Sequence, residues 1–124
     1  MSPIEFERVD GVQIAHVRED IDAANVTALH DQLAEALGPD TFGLIVDLSE
    51  VRYLDSAGLD MLLRLGDRLG YRRARLSLVI PADSQLNKLV AIVGLPEALD
   101  IHPSLAGALG RLREDRASPS PPRD

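Results

Sequence analysis

The chain contains no cysteine, which excludes disulfides, a thiol nucleophile and a thiolate metal site. It has one lysine, Lys88, and neither a G-x-x-x-x-G-K-[ST] loop nor a G-x-G-x-x-G following a strand, so the chain should not phosphorylate itself. No apolar run approaches the ~18 residues needed to cross a bilayer. The start, MSPIEFERVD, lacks the apolar stretch of a signal peptide, and a soluble cytoplasmic protein is expected. The three histidines, His16, His30 and His102, are too scattered for a metal motif, and Asp20 with Asp22 is a weak pair. No metal or other cofactor is expected. The net charge of −7 argues against nucleic acid as a partner, since neutralising phosphates needs clustered lysine and arginine, and Arg64, Arg68, Arg72, Arg73 and Arg75 read as a solvated face.

What is there reads as one domain. A chain of 124 residues with 45% hydrophobic and 27% charged residues is large enough for a single core. Its charge is lopsided: residues 1–63 hold 13 acids and 3 bases (−10), and residues 64–124 hold 7 acids and 10 bases (+3). An acidic face would attract a basic partner surface; the alternative is a solvated acidic surface with no partner.

Ile4-Glu5-Phe6 alternates as a strand, Asp10-Gly11 is a hairpin turn signal, and Val12 to Val17 returns as a second strand. That strand puts Val12, Ile14 and His16 on one face and Gln13, Ala15 and Val17 on the other. Asp22 is a candidate N-cap for a helix from Ala23 to Leu37 whose stripe is Val26, Leu29, Leu33 and Leu37, ended by Gly38-Pro39. Arg75 to Ile80 is a further strand, and Asp83 or Ser84 caps a third helix with Leu86, Leu89, Val90 and Val93 inward, closed by Gly94 and Pro96. Leu99 to Ile101 suggests a short last strand, and Ser104 caps a final helix through Leu112. The order implies a mostly parallel sheet with two right-handed βαβ crossovers. The domain is expected over residues 1–114, and the Pro/Ser-rich residues 115–124 as a disordered tail.

The chain is organised around GLIVDLSEVRYLDSAGLDMLLRLGDRLGY, residues 43–71. Leu44-Ile45-Val46 reads as a strand buried on both faces. After the turn, Leu59, Leu62, Leu63, Gly66, Leu69 and Gly70 form one helical stripe opposite Asp60, Arg64, Asp67 and Arg68. Ser56 stands at the expected helix start, where a hydroxyl either caps the helix or meets an anion at the positive end of the helix dipole. Gly58 in the first turn costs roughly 1 kcal/mol against alanine, which close approach by another chain or tight packing on the sheet would explain. Met61 and Leu65 lie beside the stripe on the flank of Gly58; they form either an exposed partner patch or a surface covered by a neighbouring helix.

Asp47-Leu48-Ser49, Val51, Tyr53-Leu54 and Asp55-Ser56-Ala57-Gly58-Leu59 resemble the signature of STAS domains, specifically the bacterial anti-sigma factor antagonists. The likeness extends to Asp20-Ile21-Asp22, where many members carry Gly-Glu-hydrophobic-Asp and where Glu19 replaces the glycine. The residue after the serine is usually Ser or Thr in the family and is Ala57 here. The resemblance implies a single α/β STAS-like domain with a four- or five-stranded mixed, mostly parallel sheet covered by about four helices. It implies Ser56 as phosphoacceptor for an anti-sigma factor that is also a serine kinase, and a phosphatase for resetting. The partner surface is expected at Asp22, Asp55, Ala57, Gly58, Met61 and Leu65, with the two aspartates orienting the serine or engaging the kinase. The chain itself is expected not to be an enzyme, and to be a monomer or weak dimer. A hydrolase elbow needs Gly two residues before and after the serine, and here those are Leu54 and Gly58. A second possibility is a non-switching STAS subunit of a transporter ATPase or scaffold complex, with Ser56 a plain cap.

Overall fold

The structure, a computed structural model, describes residues 4–93 and 99–117. Strands β1 (Ile4–Val9) and β2 (Val12–Val17) form a hairpin. Its turn residues Asp10 and Gly11 have φ of 51° and 81°, the left-handed pair that an Asp-Gly turn supplies at low steric cost. Then follow α1 (Val26–Glu35), β3 (Gly43–Asp47), α2 (Ser56–Tyr71), β4 (Arg75–Val79), α3 (Leu86–Val93), β5 (Asp100–His102) and α4 (Leu105–Ala117).

The sheet runs β1-β2-β3-β4-β5, antiparallel only between β1 and β2. This is the mixed, mostly parallel sheet expected, and β5 adds a third crossover to the two anticipated. Because the order simply increases, crossovers of one hand bring their helices to one face. Leu29, Leu33, Leu62, Leu69, Leu86 and Val90 from α1, α2 and α3 accordingly share a core with Ala15, Val17, Leu44, Val46 and Leu78. The last helix returns to the other face, where Ala108 and Leu112 cover Val12, Ile14, Ile45 and Val79. Leu44, Ile45 and Val46 are fully buried because both faces of β3 are covered.

Boundaries shift where side chains compete for backbone groups. The expected start of α1 at Ala23 moves to Val26, since Asp22 Oδ1 accepts from the N–H groups of Ala24 and Asn25 and closes a separate turn there. Ser84 Oγ accepts from Leu86 N–H and Ser104 Oγ from Gly107 N–H, as helix-start hydroxyls should. Gly94 and Pro96, expected to close α3, lie outside the described residues, as does the side chain of Val93. Helix α4 runs to Ala117, three residues beyond the expected domain end; residues 118–124 lie outside the description.

Candidate functional site

Ser56 sits where the parallel sheet ends. Strand β3 gives way at Asp47 to a loop, residues 48–55, that delivers the chain to α2. The loop is anchored from below by buried Leu48, Val51 and Leu54 and from the side by the segment after β2. Asp20 Oδ1 accepts from Arg52 N–H at 2.8 Å and Tyr53 N–H at 3.1 Å. Ile21 N–H donates to Tyr53 C=O (3.1 Å) and Asp55 N–H to Ile21 C=O (3.2 Å), a one-residue parallel bridge of Ile21 with Leu54. Gln85 of the β4–α3 loop adds Nε2–H···O=C to Arg52 at 2.8 Å.

The helix cap is Asp55, not Ser56. Asp55 has extended backbone (φ −89°, ψ −176°) and its Oδ1 accepts from Gly58 N–H at 3.1 Å. Aspartate and serine are both good caps, and here the first of the two takes the position because its second oxygen also reaches across to Ala23 N–H at 3.2 Å. Ser56 is thereby the first helical residue. It is exposed, and its hydroxyl makes no hydrogen bond to the described residues.

The turns carrying Asp22 and Asp55 do meet, through that Ala23 contact. Their carboxylates are occupied by backbone N–H groups, and neither hydrogen-bonds to Ser56, so they build the site and do not orient the hydroxyl. Gly58 is buried: a Cβ there would stand 2.4 Å from Leu54 Cδ1 and 2.9 Å from Ile21 Cγ2, so close internal packing accounts for it. The exposed Gly–Met–Leu shoulder is not observed. Leu65 (0%) is enclosed in the core and Met61 (4%) is buried at the floor of a groove, because α2 packs against α1 as well as the sheet. Gly70, expected inside, is exposed. What remains beside Ser56 is a shallow groove between α1 and α2 of about 290 Å³, lined by Val26, Thr27, His30, Ala57, Asp60, Met61 and Arg64. Asp60 and Arg64 pair at 2.7 Å, the expected i,i+4 contact.

Two residues escaped the sequence reading. Asp20, on the sequence only half of a weak metal pair and part of the family likeness, holds the loop by two backbone N–H groups; an aspartate flanking a single apolar residue is the available signal. Tyr53, in the sequence only a part of the family signature, is 57% exposed three residues before Ser56, while the loop's other apolar side chains, Leu48, Val51 and Leu54, are buried. Two of the histidines have close carboxylate partners, His16 with Glu7 and Asp47 and His102 with Asp100, and none hydrogen-bonds to Ser56. Among the described residues no group of three or more His, Asp or Glu is arranged to hold a metal ion, and no helix is long and apolar enough to cross a membrane.

Comparison with known proteins agrees with this fold. The anti-sigma-F factor antagonist RsfB of Mycobacterium tuberculosis is 25% identical over 107 residues, covering 86% of each chain. An anti-sigma factor antagonist from Mycobacterium paratuberculosis superposes with a TM-score of 0.79 at 26% identity, over 89% of this chain and 92% of that one. Bacillus SpoIIAA, 18% identical, shares the fold in its unphosphorylated form (TM-score 0.71, 89% and 96% covered) and its phosphorylated form (0.65, 89% and 99%). The profile described as Mlab, STAS domain, matches residues 4–103, and the chain belongs to the STAS domain family.

Proposed function

We propose that this protein is an anti-sigma factor antagonist switched by phosphorylation of Ser56. The observation that carries the reading is the exposed Ser56 hydroxyl at the first position of α2, without a hydrogen bond among the described residues, with the capping work done by Asp55. A hydroxyl engaged as a cap would have to give up that bond before reacting; this one does not. The similarity to RsfB supports the choice of partner. That partner is an anti-sigma factor with serine kinase activity, since the chain has no phosphate-binding loop of its own, and a phosphatase resets the serine.

The mechanism follows from charge. Unmodified Ser56, next to Ala57 of the α1–α2 groove, forms a small neutral docking spot beside Asp55, whose carboxylate reaches the Asp22 turn at Ala23. Phosphorylation adds about −1.5 to −2 charges. Within the protein the helix N-terminus favours that charge by roughly 0.3–1 kcal/mol, so the fold need not change. At the interface the dianion is desolvated beside two carboxylates, and binding weakens. About 2.8 kcal/mol suffices for a hundredfold loss of affinity. The unphosphorylated form therefore holds the anti-sigma factor and frees the sigma factor; the phosphorylated form lets the anti-sigma factor go.

The test is to mix wild type, Ser56→Ala and Ser56→Asp with a candidate anti-sigma kinase and ATP. Phosphate should enter wild type only, and Ser56→Asp should bind at least tenfold more weakly. Labelling of Ser56→Ala, or wild-type affinity in Ser56→Asp, would end the proposal. The second reading, a constitutive STAS subunit of a transporter ATPase or scaffold complex, draws on Ala57 standing where the family's second hydroxyl is usual. Intact-mass measurement on protein from native cells separates the two, because a subfraction heavier by one phosphate belongs only to the switch.

A further inference from the structure

Away from Ser56, one histidine is held between two carboxylates. His16 follows Val12 and Ile14 on the α4 face of β2, with its side chain 16% exposed. Its Nε2 lies 2.6 Å from Glu7 Oε2 and its Nδ1 lies 2.7 Å from Asp47 Oδ2. The register explains both contacts: Asp47 is the direct partner of His16 across the β2–β3 ladder, and Glu7 is diagonal to it on β1, beyond Glu5. A neutral imidazole has one N–H and could donate to one carboxylate only. Two ionised carboxylates, one at each ring nitrogen, require both nitrogens to carry hydrogen.

The charged groups around it complete the arrangement. Glu5, directly opposite on β1, is bound by Arg18, which also binds Glu50 of the loop after β3. On this face the ladder continues from Asp47 to Val79 of β4, which carries no charge, and then to His102 of β5, which is held by Asp100. Asp47 Oδ1, the oxygen not facing His16, accepts from the N–H and hydroxyl of Ser49. One carboxylate thus joins the imidazole to the first turn of the loop that leads to Ser56.

We infer that His16 is a protonated latch that ties the edge strand β1 and the loop after β3 to β2, and that loss of its proton releases the β1 side. The release is directional because Asp47 is 15% exposed and Glu7 50%. The remaining N–H stays with the carboxylate that water serves least, and Glu7 is let go into solvent. Burial alone would lower the His16 pKa, but the hydrogen bonds to Glu7 and Asp47 outweigh it and raise the value above the ordinary 6.5. Burial likewise pushes Asp47 up, and the bonds from Ser49 and His16 bring it below the ordinary 3.8. The His16 contribution to stability is therefore full below 6.5 and lost as pH rises through its raised folded value. The Asp47 contribution is present above 3.8 and lost as pH falls through its lowered folded value. The latch is tightest between those limits and opens on the alkaline side, whatever Ser56 does.

The test follows the imidazole ¹⁵N shifts of His16 by NMR in the folded protein and in the urea-unfolded chain. The folded midpoint should be the higher, with both ring nitrogens protonated below it. Glu7→Gln, a change at an exposed position, should shift that midpoint down, and hydrogen-exchange protection of β1 amides should fall several-fold above it while α2 amides keep theirs. Between about pH 6 and pH 9 the wild-type Tm should drop by several degrees and that of His16→Gln should not follow. A folded midpoint at or below the unfolded one, or no response to Glu7→Gln, overturns the inference.

Discussion

Gly58→Ala should destabilise the fold even though alanine is the better helix former. In an open helix the exchange gains up to about 1 kcal/mol. Here the added methyl meets Leu54 Cδ1 at 2.4 Å and Ile21 Cγ2 at 2.9 Å, with Ile21 Cβ at 3.3 Å. Relief would be cheap if these were the free ends of surface side chains. They are not: Leu54 and Ile21 are each 1% exposed, and Ile21 Cβ is attached directly to the backbone. That backbone is fixed by Ile21 N–H to Tyr53 C=O and Asp55 N–H to Ile21 C=O. Overpacking of a dense core costs about 1–3 kcal/mol. Set against the helical gain, which is smaller in a first turn than in mid-helix, the expected net loss is about 1–2 kcal/mol.

Urea unfolding followed by circular dichroism measures this directly. With a slope of about 2 kcal/mol per molar urea, the midpoint should fall by roughly 0.5–1 M. A variant as stable as wild type, or more so, refutes the packing argument. If such a variant also lost affinity for its partner, the glycine would be serving close approach by another chain.

Other substitutions around the site have signed outcomes. Asp55→Ala removes the cap of α2 and the tie to Ala23, and should cost about 1–2 kcal/mol in chemical denaturation, most of it recovered by Asp55→Asn. Ser56→Asp should leave the thermal midpoint unchanged or slightly raised, within about 0.5–1 kcal/mol, because a carboxylate at the first helical position meets the positive end of the dipole. Arg73 has φ of 59° in the turn where its N–H bonds Gly70 C=O and Ala74 N–H bonds Leu69 C=O. That is the position glycine favours at a helix end, so Arg73→Gly should raise stability by about 0.5–1 kcal/mol, read from the same urea curves.

The elements were legible wherever one residue type does one job. Asp10-Gly11 has few uses other than a tight hairpin turn, and Leu44-Ile45-Val46 without alternation could only be covered on both faces. Legibility failed where a residue answers to two neighbours. A leucine stripe locates the buried arc of a helix that meets one surface. Helix α2 meets the sheet and α1 together, so its buried arc widens to take in Met61 and Leu65. Asp55 and Ser56 are adjacent and both cap well; what decided between them was Ala23, 32 residues earlier in the chain. The carboxylates of His16 lie 9 and 31 residues away and only strand register brings them together, so no local spacing could announce them.

The same cross-links bear on how a switch at Ser56 has to operate. Before the serine, the chain is held by Asp20 at Arg52 and Tyr53, by the Ile21–Leu54 bridge and by Gln85. After it, Asp55 caps the helix, and Gly58 is wedged against Ile21 and Leu54. A charge added to an exposed oxygen on such a mount has little to push: its like-charged neighbours are pinned by backbone N–H groups, and the helix end favours it. A rigid mount cannot convert phosphate into a large movement, so the free energy of the modification must be felt where another surface takes away its water. The proposed switch would then reside in the interface and not in the fold. Crystal or solution structures with Ser56 phosphorylated should match the unmodified backbone through residues 48–60, and a refolded or displaced loop there would contradict this account.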